Sequence, residues 1–102
     1  MVESWAVVDA APPAEGSMTP VVVDGTFVAI GRLDGVLVSF DETCTHRQCP
    51  LTDGVLAEGS ITCPCHKSRF DLQTGVPING PAVEPLRIRQ VREDGGRIYV
   101  ER

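Results

Sequence analysis

Short apolar runs separated by turn residues recur along this chain, and none has the three-to-four spacing of an amphipathic helix. Trp5-Ala6-Val7-Val8 reads as a first strand, and residues 9–18, with Pro12, Pro13 and Gly16, read as a loop. Val21-Val22-Val23, then Asp24-Gly25, then Thr26-Phe27-Val28-Ala29-Ile30 predict a hairpin, because Asp-Gly tolerates the positive φ of a two-residue turn. Asp34-Gly35 repeats that signal before Val36-Leu37-Val38-Ser39-Phe40, so the three runs form an expected antiparallel meander. Val55-Leu56 and Ile61-Thr62 flank Glu58-Gly59 as two short strands, and Phe70-Asp71-Leu72 with Gly75-Val76-Pro77 predicts another turn. The alternation in Leu86-Arg87-Ile88-Arg89-Gln90-Val91 is that of one strand with a wet face, and Gly95-Gly96 joins it to Arg97-Ile98-Tyr99-Val100. The expectation is an all-β chain of antiparallel sheets, a single domain over residues 1–102, with no helix, repeat or linker.

A chain of 102 residues can build one modest core. No apolar run approaches the length needed to cross a membrane, and Met1-Val2-Glu3-Ser4-Trp5 lacks the basic-then-apolar order of a signal peptide. A soluble, cytoplasmic protein with no membrane partner is therefore expected. The net charge of −5 disfavours nucleic acid and anionic surfaces as partners. Arg47, Lys67 and Arg69 run against that average. They make one end locally basic on an acidic body, or they are ordinary solvated charges.

That end is also where the chemistry lies. Both histidines and all four cysteines fall between positions 44 and 66. Cys44-Thr45-His46 and Cys63-Pro64-Cys65-His66 are separated by sixteen residues, and the loops 43–51 and 63–69 can each give one sulfur and one imidazole as ligands. Two thiolates (Cys44, Cys63) on one iron and two imidazoles (His46, His66) on the other suit a Rieske-type [2Fe–2S] cluster. A zinc site uses the same ligand types, but zinc-finger spacing pairs Cys with Cys and His with His. Cys49 and Cys65 remain. If the loops face each other these two sulfurs meet, and a disulfide becomes geometrically reasonable. A reducing cytosol opposes such a bridge, whereas burial beside a cluster would shield it; the alternative is a pair of reduced, buried thiols. Residues 79–85, around Gly80-Pro81-Ala82, either punctuate two strands or form a rigid cover over the cluster.

The two boxes resemble those of the Rieske family, and the chain is similar nearly end to end to the small ferredoxins of bacterial ring-hydroxylating dioxygenases. The likeness includes the Val-Asp-Gly hairpin, the approach to His46, Leu51-Thr52-Asp53-Gly54 and the closing hairpin. The resemblance implies a Rieske fold with a cluster-binding subdomain over about residues 42–83. It implies no catalysis of its own. The implied role is carrying single electrons from a flavoprotein, NAD(P)H-dependent reductase to a terminal oxygenase in aromatic hydrocarbon catabolism. Cys49 and Cys65, with Pro64 and Ser68, instead resemble the respiratory Rieske subunit, where that pair is a disulfide. Gly80-Pro81-Ala82 resembles its proline loop. Phe70 stands where that subunit has a tyrosine reaching a cluster ligand, and Lys67 replaces a glycine. Ser68 is the expected donor to a cluster sulfur, with Phe70 and Pro81 also adjacent to the cluster. Two other functions stay open: a metal-binding or redox-sensing module using zinc or the cysteine pair, and a soluble respiratory-type Rieske protein.

Overall fold

Tight turns set the architecture. Asp24-Gly25, Asp34-Gly35, Glu58-Gly59 and Gly95-Gly96 all hold both central residues at positive φ, the geometry whose twist matches two antiparallel strands. The structure, a computed structural model, describes residues 4–44, 49–65, 67–80 and 82–102. These form β1 (Trp5–Val8), β2 (Met18–Val23), β3 (Thr26–Leu33), β4 (Val36–Asp41), a 3₁₀ turn (Leu51–Asp53), β5 (Val55–Ala57) and β6 (Ser60–Thr62). Then follow β7 (Arg69–Asp71), β8 (Pro77–Asn79), β9 (Ile88–Arg89), β10 (Val91–Asp94) and β11 (Arg97–Glu101). Three antiparallel sheets result, ordered β1-β11-β10, β2-β3-β4-β9 and β5-β6-β7-β8. No helix among the described residues is long and apolar enough to cross a membrane.

Two sequence expectations need correction. The loop over residues 9–18 ends earlier than expected, because β2 already begins at Met18. Pro20 is tolerated there because β2 is an edge strand with an outer side that needs no donor. The preceding loop is also tied down. The Glu15 carboxylate accepts from the N–H groups of Asp34 and Gly35 (2.6 and 2.8 Å), and Arg32 Nε donates to the Pro13 carbonyl (3.0 Å). The expected single strand over residues 86–91 is two strands in different sheets. Ile88–Arg89 pairs with β4, and Val91–Asp94 pairs with β11. Arg89 fixes the crossover. It is buried, and it donates to Asp41 Oδ1 (2.6 Å) and to the Glu101 carbonyl (2.7 Å). The Gln90 backbone exchanges hydrogen bonds with Glu101, accepting from its N–H and donating to its carboxylate, both at 2.9 Å. Arg89 falls on the face expected to be wet, yet it is buried, so the two-residue alternation does not carry through the crossover.

The core has two compartments with β3 between them. Val28 and Ile30 join Ala6, Val8, Val23, Ile98 and Val100 on one side. Ala29, from the other face of β3, joins Phe40, Leu51, Leu56, Ile61, Phe70 and the two cysteines Cys44 and Cys63. Gly31 continues the Ala29 face. A Cβ there would lie 2.9 Å from Leu56 Cδ2, so its smallness lets the third sheet seat on β3.

Gly54 makes an even closer approach within the third sheet. A Cβ would sit 2.0 Å from the Thr62 carbonyl oxygen, a backbone atom that cannot turn away. Gly54→Ala is therefore expected to cost about 2 kcal/mol or more, at the upper end of overpacking penalties. Gly59→Ala, with open space around its Cβ but a φ of +71°, is expected to cost only about 1–2 kcal/mol. Denaturant midpoints of the two variants measure the difference, and equal losses would show that the Gly54 contact relaxes freely.

Candidate metal centre

The two loops singled out by the sequence are closed at their bases in the same way. In the first, the Cys44 N–H donates to the Cys49 carbonyl at 2.9 Å, above a bridge between Thr43 and Pro50. In the second, the Cys63 N–H donates to the Ser68 carbonyl at 2.7 Å, and the Lys67 N–H returns to the Cys63 carbonyl at 3.1 Å. Each pinch joins a cysteine to the residue five positions on. The first loop continues into the 3₁₀ turn, where the Leu51 N–H donates to the Glu42 carbonyl at 2.8 Å and the Thr52 hydroxyl bonds the Glu42 carboxylate. The second loop hangs from the β6–β7 hairpin, with Ile61 directly opposite Phe70.

Cys44 and Cys63 are each 1% exposed, lie in no disulfide and belong to one core compartment with Leu51, Ile61 and Phe70. Phe70 is fully buried and forms part of the floor beneath them. Two buried thiols on two facing loops are a donor set that fits a thiolate-ligated metal centre. His46, His66, Arg47 and Pro81 lie outside the described residues.

Cys49 and Cys65 form a disulfide, with their Cα atoms 6.4 Å apart. It covalently ties one loop to the other. A closed loop of this size, sixteen residues apart in sequence, stabilises by about 3 kcal/mol in the chain-entropy view. The expectation that burial shields it is corrected: Cys49 is half-buried and Cys65 is exposed. Pro64 and Lys67, in the same loop as Cys65, are exposed as well.

Ser68 is buried, and its hydroxyl accepts from the Ala82 N–H at 3.0 Å. Segment 79–85 is thus fastened to the second loop through a side chain, and Ala82 joins the core beside Cys63. Neither this latch nor the paired pinches was foreseen. The signal for the latch was the serine itself, small and polar beside a proline-rich stretch. The pinches, as backbone contacts, leave no mark on side-chain pattern. Lys67 has a φ of +60°, which explains why the position suits a glycine and shows that the lysine is held in a less favourable backbone region. Of the three basic residues expected at this end, Arg69 points back along the sheet, donating to Ser60 Oγ at 2.7 Å and lying 3.6 Å from Glu58. Lys67 is exposed and makes no ion pair among the described residues.

Comparison with known proteins accounts for this arrangement. A family model described as the Rieske [2Fe-2S] domain matches residues 4–92. The ferredoxin component of the naphthalene 1,2-dioxygenase system of Pseudomonas aeruginosa is 31% identical over 87 residues, covering 85% of this chain and 84% of that protein. Among solved structures, the ferredoxin of carbazole 1,9a-dioxygenase from Nocardioides aromaticivorans IC177 superposes with a TM-score of 0.87 at 32% identity, covering 97% of this chain and 98% of that one. A chain in a complex of reduced oxygenase and oxidized ferredoxin of carbazole 1,9a-dioxygenase superposes with a TM-score of 0.85 at 30% identity, covering 95% and 92%. The three sheets, the paired cysteine loops and these matches agree that the chain belongs to the Rieske [2Fe-2S] family and is similar throughout to the ferredoxins of dioxygenase systems.

Proposed function

We propose that this protein is a soluble one-electron carrier that takes electrons from a flavoprotein, NAD(P)H-dependent reductase and delivers them to a terminal ring-hydroxylating oxygenase. The observation that carries the reading is the pair of buried cysteines, Cys44 and Cys63, on two identically pinched loops, in a chain similar from end to end to dioxygenase ferredoxins. Cys44, His46, Cys63 and His66 would hold one [2Fe–2S] cluster, in a subdomain over about residues 42–83. The cluster supplies reversible uptake of a single electron. The chain's part is to set how readily that happens and to whom the electron goes.

Two thiolates and two neutral imidazoles place two fewer negative charges on the site than four thiolates do. Uptake of an electron is correspondingly easier, and Rieske potentials span roughly −150 to +300 mV against about −400 mV for plant-type ferredoxins. Ser68 is the proposed donor to a cluster sulfur: its oxygen already accepts from Ala82, which leaves its proton to give. Phe70 offers no donor and supplies only packing. Pro81, beside the latched Ala82, would limit water at the site. Docking would use the tip, where Lys67 is exposed and Arg47 directly follows the proposed ligand His46 in the sequence, against an acidic rim on the partner.

The purified protein is expected to contain two irons and two sulfides per chain, and His46→Ala or His66→Ala to lose the normal cluster spectrum; stoichiometric zinc in place of iron would sink the reading. Phe70→Tyr, with the ring orientation kept, should raise the potential by roughly 40 mV, the equivalent of about 1 kcal/mol for one added hydrogen bond favouring the reduced form. A potential measured unchanged would show that no acceptor lies in reach. Lys67→Glu should slow electron delivery to the oxygenase by roughly two- to tenfold at low salt without moving the potential, and the effect should fade as exposed charges are screened within about 8 Å at physiological ionic strength. Stopped-flow rates that do not differ at low salt would remove Lys67 from the docking surface.

A further inference from the structure

We infer that Asn79 is a site of spontaneous deamidation, a covalent ageing step that rewrites the main chain just ahead of the latch at Ala82. The inference does not depend on electron transfer. In Asn79-Gly80 the asparagine precedes the one residue type with no side chain to shield its amide nitrogen. Both residues are exposed. Neither the Asn79 carboxamide nor the Gly80 N–H is engaged in a hydrogen bond among the described residues. Nothing crowds the glycine: a Cβ built there would meet only backbone atoms of Ala82, at 3.7 Å. Asn79 ends β8, a three-residue edge strand with a register shift, and its ladder partner is Arg69. Ring closure needs the Asn79 backbone to leave the extended region, and the end of a short edge strand opens at little cost.

The Gly80 nitrogen attacks Asn79 Cγ. The N–Cγ bond forms as the Cγ–Nδ2 bond breaks, the Gly80 nitrogen gives its proton to solvent, and Nδ2 takes one up and departs as ammonia. Water then opens the resulting succinimide. Cleavage at Cγ gives aspartate, and cleavage at the main-chain carbonyl gives isoaspartate, in which the chain runs through Cγ; no electrons are gained or lost. The two products act differently on this fold. Aspartate would lie across the ladder from Arg69, an opposite-charge pair that the strands accommodate. Isoaspartate adds one carbon to the main chain three residues before Ala82, whose N–H is held by Ser68 Oγ at 3.0 Å. The added length pulls that hydrogen bond out of register, so the latch opens in the isoaspartate form and holds in the aspartate form.

The test ages the purified protein as isolated, at neutral and at mildly alkaline pH, and digests samples taken over time. Tandem mass spectrometry reads the replacement of the Asn79 amide by a carboxyl group and separates aspartate from isoaspartate. Conversion is expected at a rate close to that of a free peptide spanning residues 76–83, faster at the higher pH because the attacking nitrogen must lose its proton. Gly80→Ala protein should convert several-fold more slowly; Gly80 is not in the left-handed region, so the alanine fits its backbone. Hydrogen exchange at Ala82 should be faster in the isoaspartate fraction than in fresh protein, whereas Asn79→Asp protein should keep the fresh rate. Asn79 that persists in the protein while the peptide converts would overturn the inference, since β8 would then be holding it extended. Unchanged Ala82 exchange in the isoaspartate fraction would overturn the opening of the latch. Both readouts are independent of iron, so neither result bears on the electron-carrier reading.

Discussion

The seating of the third sheet on β3 is the contact on which the rest depends. β3 is one strand deep, and its two faces serve different compartments: Val28 and Ile30 on one side, Ala29 and Gly31 on the other. Small residues on the second face let Leu56 approach the backbone, and Phe40, Ile61 and Phe70 close the space around it. Each such side chain contributes about 1.5–3 kcal/mol of burial, more than any single surface ion pair in this molecule can offer. Because Cys44 and Cys63 are members of that same compartment, the packing that holds the sheets together also fixes where the two sulfurs sit.

Polar interactions act where the chain must change direction. Arg89 is buried among strands and would be costly alone, yet Asp41 and the Glu101 carbonyl satisfy it and mark the point where the chain leaves one sheet for another. The Glu15 carboxylate does the same at the surface by holding the Asp34-Gly35 turn. Surface pairs such as Arg92 with Asp94 are exposed and add little. Arg92 gains more from lying over Trp5 and Tyr99, at 5.2 and 4.5 Å from their ring centroids.

At the tip the backbone and the covalent bond divide the labour. Paired pinches set the shape of each loop, the disulfide sets their separation, and the Ser68–Ala82 hydrogen bond fastens a third segment alongside. The strained lysine at position 67 lies inside this frame, where its neighbours hold it at positive φ. Rigid support of this kind suits a site whose ligands come from two distant stretches of chain.

Local chemistry made much of this legible in the sequence. Asp-Gly and Gly-Gly pairs specify their turns because few other residues accept positive φ twice, and the meander from β2 to β4 followed. The confinement of every cysteine and histidine to two loops identified the chemistry, since residues of that kind are seldom clustered without a shared task. What the sequence did not contain were facts that belong to pairs of distant segments. The change of sheet at Gln90 rests on which strands pair on either side of it, and it buries an arginine that a single strand would have left on its wet face. The start of β2 at Met18 depends on its place at a sheet edge, where Pro20 is harmless. The exposure of Cys65 and the acceptance by Ser68 of the Ala82 N–H depend on how far one loop projects over another. Side-chain pattern is a local quantity, whereas exposure and hydrogen-bond partnership are set by which backbones the whole fold brings together.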